Sequence, residues 1–301
     1  MLDSIAYLNS EWLPLREARI PVLDRGFLFG DGVYDALIAY EGTPFHDDAH
    51  IARLDRSLQK ICLGNPFTAF EWKMLIRTLI QKNSSQRDHS IFIEVTRGLW
   101  DGQLRFTEQA QPTIFMMSLP YSAPDIGLLT QGINAVTAED MRSRHRDIKA
   151  TSMLSSLLAK HIATTADAAE TILFRDNYLT EGASSNIVMV INGTLCTPPK
   201  DNLSLPGVTC DVVVDLASQH GVPINIRPIS RSEVEQADEL WLTSTLRQIM
   251  AITALDGKPV GAAAWRGKPG PLFERIVQWF EAEKERVKQY GAGQQADAPI
   301  N

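Results

Sequence analysis

Hydrophobic residues near the start of the chain switch between strand-like and helix-like spacing. Short apolar runs on either side of residues 9–11 predict a small β-hairpin. From Asp47 onward, apolar residues recur every three or four positions, which predicts a helix that Asp47 or Asp48 caps. The same criterion predicts a second helix over 68–82.

Two later segments and a proline-rich stretch suggest where the first domain ends. Residues 90–96 and 113–118 are rich in β-branched and aromatic side chains and predict strands. Residues 119–124 contain two prolines, which disfavour both helix and sheet, so they predict a linker. We therefore predict a small N-terminal α/β domain over residues 1–118 and a larger domain over residues 125–290.

The pattern after the linker again mixes strands and helices. An apolar stripe from Met153 to Ile162 predicts a helix over 151–169. Asn192-Gly193 favours a hairpin turn, because both turn positions need a positive φ. The other elements predicted here are strands over 185–191 and 194–197 and helices over 206–219 and 271–290. Residues 291–301 are small and polar and predict a disordered tail.

Composition narrows the functional classes. A length of 301 residues and a hydrophobic fraction of 44% are typical of a globular protein of two domains. The net charge of −7 disfavours a nucleic-acid-binding protein, which usually carries a basic surface. Three cysteines without C-x-x-C spacing suggest a reducing cytoplasm and no metal site. No apolar run is long enough for a membrane span, and the N-terminus lacks the pattern of a signal peptide.

Four segments carry reactive or ligand-binding side chains, although each also has an ordinary structural interpretation. Lys149 precedes an apolar helix and is either a solvated lysine or a desolvated amine that forms a Schiff base. Glu181 is either a turn residue or a carboxylate directed at a cofactor ring nitrogen. The helix start at residues 205–209 offers free N–H groups to an anion, and hydroxyl residues occupy 243–245. Together these segments supply what a pyridoxal phosphate site needs: an amine, a carboxylate and phosphate donors.

The motifs along the chain, in their order, resemble the class IV pyridoxal-phosphate-dependent aminotransferases. They are Asp24-Arg25-Gly26 with Phe29-Gly30-Asp31-Gly32 and Tyr34, His50-Ile51 with Arg53-Leu54, Thr96-Arg97-Gly98, Ile148-Lys149, Thr180-Glu181 with Ser184-Ser185-Asn186, Leu205 with Gly207 and Thr209, and Thr243-Ser244-Thr245. The segments at 30–34 and 95–98 are most similar to the D-amino-acid (D-alanine) transaminase branch.

This resemblance implies a mixed α/β (α+β) fold, the fold-type IV of pyridoxal-phosphate enzymes. It implies a smaller N-terminal α/β domain, a larger C-terminal domain, and pyridoxal 5'-phosphate in the cleft between them. It also implies a homodimer whose interface helps to close the site.

The roles of individual residues follow from the matched motifs. Lys149 resembles the lysine that holds the cofactor and moves a proton during catalysis, and Glu181 resembles the acid that pairs with the pyridine nitrogen. Tyr34 resembles the tyrosine near the substrate carboxylate. The remaining cofactor-binding residues are Arg53, Val208, Thr209, Ser244 and Thr245 around the phosphate and Leu205 on the ring face.

The chain departs from the D-amino-acid branch in its substrate-binding residues. That branch usually carries Arg-x-His after Thr96-Arg97-Gly98 to bind the substrate carboxylate, but this chain has Gly102 and Leu104 there. Arg105 lies one residue further on and is either a replacement cation or a solvent-facing loop residue. Glu94 lies on a strand that lines the substrate pocket in related branches. It either repels a second carboxylate, holds a ligand amine or faces solvent.

The sequence therefore predicts an enzyme that transfers an amino group from a small D-amino acid to a 2-oxo acid such as 2-oxoglutarate or pyruvate. The first alternative is an (R)-selective amine transaminase, which needs no strong carboxylate-binding residues. Further alternatives are a branched-chain L-amino-acid aminotransferase, an aminodeoxychorismate lyase and a catalytically silent relative.

Overall fold

The computed structural model describes residues 3–85, 87–106 and 110–296. The chain forms two compact units. Unit 1 contains the residues up to Ser122, the short segment Ile148–Met153 and the residues from Lys284 onward. Unit 2 contains Ala123–Asp147 and Leu154–Glu283. The boundary falls within the predicted linker 119–124, but Leu119 and Pro120 are the last residues of a strand.

Unit 1 is built on an antiparallel sheet that has six strands in the described part of the chain, in the order β2-β1-β6-β5-β3-β4. The strands are β1 (Ile5–Leu8), β2 (Glu11–Pro14), β3 (Gly32–Tyr40), β4 (Thr43–Pro44), β5 (His89–Thr96) and β6 (Thr113–Pro120). The helices are α1 (Arg25–Phe29), α2 (Asp47–Lys60) and α3 (Ala69–Lys82). The predicted hairpin, helices and strands of this region are confirmed. The predicted cap of α2 is wrong, because His46 takes that position in a left-handed conformation and Asp47 begins the first turn.

The two faces of this sheet differ in their environment. Val33, Leu37 and Ile93 face a core that the apolar sides of α2 and α3 complete. Since side chains alternate along a strand, Tyr34 and Phe92 lie on the opposite face, where they are half-buried. The core face fixes the sheet, and the opposite face remains available for a ligand.

Unit 2 contains a mixed sheet, whose strands in the described residues follow the order β12-β11-β10-β13-β14-β7-β8-β9, with β15 beside β14. The strands are β7 (Ile133–Glu139), β8 (Glu170–Arg175), β9 (Tyr178–Gly182), β10 (Asn186–Ile191), β11 (Thr194–Thr197), β12 (Ile224–Ile226), β13 (Glu239–Ser244), β14 (Gln248–Leu255) and β15 (Lys258–Pro259). The helices are α4 (Ile126–Gln131), α5 (Leu154–Thr165), α6 (Val208–Gln219), α7 (Arg231–Glu235) and the first half of α8 (Pro271–Ala296), whose residues from Lys284 onward belong to unit 1. The predicted mixed α/β class is therefore confirmed, and no helix in the described ranges is long and apolar enough to cross a membrane.

Helix α5 corrects the prediction for residues 151–169. The helix is shorter, and its small residues Ser156, Ala159 and Ala163 are the buried ones. The apolar stripe that predicted the helix points outward, with Leu157 56% and Leu158 60% exposed. Small residues allow close approach to the sheet, where the hydroxyl of Thr171 donates to the carbonyl of Ala159.

The C-terminal helix is longer than predicted. Helix α8 continues to Ala296, so residues 291–296 are helical rather than part of the predicted tail. Residues 297–301, the rest of that tail, lie outside the described residues.

Candidate active site

The segment that carries Lys149 pairs with the edge of β3 in unit 1 through an isolated antiparallel bridge between Val33 and Ala150. The amide of Tyr34 donates to the carbonyl of Lys149 at 2.9 Å, and the amide of Thr151 donates to the carbonyl of Gly32 at 3.0 Å. The Thr151 hydroxyl donates to the carbonyl of Gly30 at 3.0 Å. Gly30 has a φ of +64°, and a Cβ there would lie 2.9 Å from Cβ of Ser152. Glycine at this position therefore lets the Lys149 segment approach α1 closely.

The amine of Lys149 lies over an aromatic side chain. Its Nζ is 4.2 Å from the centroid of the Tyr34 ring. The Tyr34 ring stacks on Phe92, with centroids 5.3 Å apart. The predicted lysine and the predicted substrate-binding tyrosine therefore share one face of the unit 1 sheet.

Glu94 lies on this same face. It is the cross-strand partner of Tyr34 in the β3–β5 pairing, and its side chain is half-buried. Burial and the nearby charge of Asp24 raise the pKa of the Glu94 carboxyl. The Glu94 side chain is therefore partly shielded from solvent, and its predicted role remains a prediction.

Arg53 is buried beneath the opposite face of the sheet. Its Nε and Nη2 both donate to the carboxylate of Asp35 at 2.8 Å. His50 lies 2.8 Å from the same carboxylate. Although burial opposes ionisation, the charge and hydrogen bonds of Arg53 and His50 hold the pKa of Asp35 below its usual range. Asp35 therefore fixes the orientation of the Arg53 guanidinium.

The loop around Arg105 borders a cavity in unit 1. The cavity has a volume of about 1020 Å³, and its wall includes Arg25, Arg97 and Arg105. Arg25 and Arg97 both donate to the carboxylate of Asp31. Arg105 is mostly exposed and lies 3.6 Å from Asp101. The most exposed of these three arginine side chains is therefore the one predicted to bind substrate.

In unit 2, Glu181 is almost completely buried and has two cationic partners. Its Oε1 lies 2.9 Å from Nη1 of Arg142 and 3.2 Å from Nε of Arg146. Its Oε2 accepts the amide of Leu205 at 2.9 Å. Arg142 is in turn held by Asp140 through Nε and Nη2, both at 2.8 Å. The Glu181 carboxylate is thus held in one orientation. Its hydrogen bond from the Leu205 amide also joins it to the segment that leads into α6.

The segment before α6 is held by Asn186. The Asn186 side chain donates to the carbonyl of Leu205 at 2.7 Å. Gly207 packs against the same side chain, where a Cβ would overlap it. Helix α6 begins at Val208, two residues later than the sequence predicts, with Gly207 as its N-cap. Val208 and Thr209 are therefore the first two residues of a helix, where amide N–H groups lack partners within the helix.

Ser244 and Thr245 lie where β13 turns into β14. Ser244 ends β13, and its Oγ accepts the amide of Arg247 at 3.2 Å. Thr245 is half-buried in the turn itself. The structure therefore places the predicted phosphate donors at a strand end and a helix start of the same unit.

Sequence reasoning missed the residues that hold the predicted ones in place. Asp35, His50, Asp140 and Arg142 are buried polar groups. Asp35 is 15 residues from His50 and 18 from Arg53. Arg142 pairs with Asp140, two residues away, and also with the more distant Glu181. Asp35 follows Tyr34 within a quoted motif, but nothing in the motif indicates a pairing with α2. Arg142 and Arg146 lie near Lys149 in sequence, and only the fold brings them to Glu181.

The sequence profile of the family described as Amino-transferase class IV matches residues 32–255 of the chain. The chain is 32% identical to the D-alanine aminotransferase of Bacillus licheniformis over 89% of its own length and 93% of the relative. It is 33% identical to the D-alanine aminotransferase of Staphylococcus haemolyticus over 91% of its own length and 95% of the relative.

Solved structures show the same fold. A branched-chain amino acid aminotransferase of Escherichia coli superposes with a TM-score of 0.87 at 26% identity, covering 93% of this chain and 94% of the other. A fold IV transaminase of Curtobacterium pusillum gives a TM-score of 0.76 at 24% identity, covering 89% and 92% of the two chains. The second likeness concerns the fold alone.

Proposed function

The chain belongs to the class IV aminotransferases, and we propose that it transfers an amino group from a small D-amino acid to a 2-oxo acid with pyridoxal 5'-phosphate as cofactor. The observation that carries this proposal is the position of the Lys149 amine, 4.2 Å above the Tyr34 ring on a segment clamped to β3. The choice of a D-amino acid is supported by the D-alanine aminotransferases that are 32% and 33% identical to the chain.

The residues fit the chemistry of pyridoxal phosphate. Such a cofactor needs an amine for its aldehyde, an anion for its ring nitrogen and N–H or O–H donors for its phosphate. Lys149 supplies the amine and Glu181 the anion. When bound, pyridoxal phosphate supplies an acceptor for the electron pair that remains when the substrate Cα loses its proton.

Lys149 is the catalytic residue of this proposal. With the cofactor bound, Nζ of Lys149 would take the proton from the substrate Cα and deliver it to the cofactor C4′. The backbone bonds of Lys149 and Thr151 to β3 limit where that amine can reach. The Tyr34 ring beneath it is one wall of the reaction space.

Glu181 keeps a proton on the ring nitrogen. Arg142 and Arg146 hold the Glu181 carboxylate in place, since each places a cation within 3.2 Å of its Oε1. A carboxylate held in this way is a stronger partner for a protonated ring nitrogen than one that must first be ordered.

The phosphate is held by the residues that the motifs assign to it. Arg53, oriented by Asp35, supplies the cation, while Val208 and Thr209 supply the amide groups of the α6 start. Ser244 and Thr245 supply hydroxyl groups, and Leu205 packs on the ring face.

Arg105 binds the carboxylate of the substrate in this proposal. Its exposed side chain lies beside a weak partner, Asp101, at 3.6 Å, so it can exchange that partner for a ligand. Arg105→Ala should raise the KM for D-alanine at least tenfold and leave rates with an (R)-amine unchanged, because only the acid carries a carboxylate. If Arg105→Ala leaves the KM for D-alanine unchanged, Arg105 does not bind the substrate carboxylate.

The enzyme acts as a homodimer. Each unit exposes an apolar surface: α5 of unit 2 exposes Leu154, Leu157 and Leu158, and unit 1 exposes Phe27 and Leu104. Exposed apolar surfaces of this kind usually mark interfaces. Analytical ultracentrifugation should find a dimer, and a Leu157→Asp and Leu158→Asp double variant should weaken it. A monomeric wild-type protein would contradict this part of the proposal.

The deciding experiment is a set of half-reactions. Purified enzyme loaded with pyridoxal phosphate is mixed separately with D-alanine, L-alanine, L-leucine and (R)-1-phenylethylamine, and the visible absorption band is followed. D-alanine should bleach the band fastest, and Lys149→Ala should show no turnover with any donor.

The alternatives give different results. Fastest reaction with the (R)-amine would favour an amine transaminase. The absence of the Arg-x-His pair agrees with that activity, because an amine substrate has no carboxylate to bind. Fastest reaction with L-leucine would favour the activity named for the Escherichia coli structure. A protein that binds the cofactor but reacts with none of these donors would be a silent relative.

A further inference from the structure

Glu94 is a carboxylate beside the proposed reaction centre. Along β5, Ile93 and Val95 belong to the unit 1 core, so Glu94 projects to the other face together with Phe92. Tyr34 is its direct neighbour across the strand pair. Directly opposed side chains have Cβ atoms about 4.5–5.5 Å apart. Because the Lys149 amine lies over the Tyr34 ring, Glu94 lines the same space as that amine.

The surroundings of Glu94 are aromatic. Its neighbours in the sheet are Tyr34 in β3 and Phe115 in β6. Within residues 3–85, 87–106 and 110–296, the Glu94 carboxylate makes neither a hydrogen bond nor an ion pair. The carboxylates of Asp31 and Asp35 in the same unit are both paired with arginine. No hydrogen bond or ion pair among the described residues therefore fixes the Glu94 carboxylate, and it can interact with a ligand. Its position is explained if it acts on a ligand.

The effect on a ligand follows from charge. A substrate whose side chain ends in a second carboxylate would bring like charges together in a partly desolvated space, which weakens binding. The methyl side chain of a substrate such as pyruvate has no charge and can pack against aromatic rings without an electrostatic penalty.

We propose that Glu94 is a specificity-determining residue that excludes dicarboxylic substrates, so that the amino acceptor is a monocarboxylic 2-oxo acid rather than 2-oxoglutarate. Pyruvate is such an acceptor for any small D-amino-acid donor except D-alanine, which is itself converted to pyruvate. This inference rests on the proposed function, because it takes the Lys149 face of the sheet as the substrate space. It decides between the two acceptors that the sequence left open.

The test uses the enzyme loaded with pyridoxamine 5'-phosphate in single-turnover reactions with pyruvate and with 2-oxoglutarate. Wild-type enzyme should prefer pyruvate at least tenfold in the ratio of second-order rate constants. Glu94→Gln, which keeps the size and removes the charge, should raise the ratio of the constant for 2-oxoglutarate to that for pyruvate at least tenfold. Glu11→Gln, on exposed β2 of the same unit, is the matched control and should not change this ratio.

The ratio of the two constants is measured within each variant, so partial misfolding does not affect it. A second measurement is the Kd of glutarate for the pyridoxal-loaded enzyme, which should fall in Glu94→Gln while the Kd of propionate stays constant. The inference is wrong if wild-type enzyme uses 2-oxoglutarate as readily as pyruvate, or if Glu94→Gln leaves the ratio unchanged.

The stereochemistry of the alanine product tests the proposed function separately. D-alanine supports that function whatever the acceptor ratio. L-alanine would contradict the D-amino-acid proposal, and the effect of Glu94→Gln on the ratio would still decide the role of Glu94.

Discussion

Removing the arginine beneath Glu181 should destabilise unit 2 strongly. The Arg142 side chain is only 2% exposed and pairs with Asp140 and Glu181, which are 1% and 4% exposed. Arg142→Met leaves both carboxylates buried without this cation. Breaking a buried ion pair by removing one partner typically costs about 3–5 kcal/mol.

The remaining contacts place the expected loss at the lower end of this range. Asp140 keeps Arg175 at 3.6 Å, and Glu181 keeps Arg146 at 3.2 Å. We therefore expect Arg142→Met to lower the free energy of unfolding by about 3 kcal/mol. Arg146→Met is the matched control: it removes a cation from the same oxygen, but its side chain is 20% exposed. That variant should lose only about 1 kcal/mol.

Urea unfolding followed by tryptophan fluorescence measures both losses, with all variants in the same cofactor state. Arg142→Lys should fall between wild type and Arg142→Met, since a lysine keeps the charge but cannot bind Asp140 through two nitrogens. Equal losses for Arg142→Met and Arg146→Met would refute the reasoning, because burial would then not decide the cost.

Three further predictions concern acid stability, cofactor affinity and the Lys149 segment. The pKa of Asp140 is about 2 in the fold against an ordinary 3.8, so its ionised form contributes about 2 kcal/mol of stability above about pH 4, and this contribution is lost toward pH 2. Unfolding measured as a function of pH should therefore show the difference in unfolding free energy between wild type and Asp140→Asn decreasing from pH 4 to pH 2. A difference that stays constant over this range would contradict the prediction. Arg53→Lys should raise the Kd of pyridoxal phosphate at least tenfold in a cofactor titration while changing the saturated half-reaction rate by less than threefold, and an unchanged Kd would make Arg53 purely structural. Gly30→Ala should lower the melting temperature more than Gly193→Ala. Both glycines have a positive φ, but only at Gly30 would the added Cβ contact a neighbouring residue. Equal decreases would show that the close approach of the Lys149 segment does not require glycine at position 30.

The family and the mixed fold could be predicted from sequence because short motifs carry them. The order of glycines, hydroxyl residues and single charged residues is a local property that the chain displays directly. The match of the class IV family over residues 32–255 confirms that prediction. Most helices and strands were also predictable, because their periodicity lies within one segment.

Helix α5 shows where such reasoning fails. Its leucines and isoleucine indicated a helix correctly, but they suggested the wrong buried side. Periodicity reports that a helix has an apolar face, and it does not report what covers that face. Here Ala159 and Ala163 face the sheet, and Leu157 and Leu158 are left exposed.

The partners of the site residues were unpredictable for a related reason. Arg53 was recognised by its motif, yet its orientation depends on Asp35, which is 18 residues away on another element. Glu181 depends on Arg142 and Arg146, 39 and 35 positions earlier by residue number. Pairings at such separations exist only after the strands have taken their register.

The insertion of Ile148–Met153 into unit 1 has a consequence for how the chain can be divided. The chain leaves unit 2 after Asp147 and re-enters it at Leu154, so no single cut separates the two units. A fragment that ends at Ser122 would leave the backbone groups of Gly32 and Tyr34 on the open side of β3 without the partners that Lys149 and Thr151 provide. An exposed strand edge of this kind attracts other chains. The segment that carries Lys149 therefore also protects a sheet edge from aggregation, and we expect the N-terminal half to aggregate when it is expressed alone.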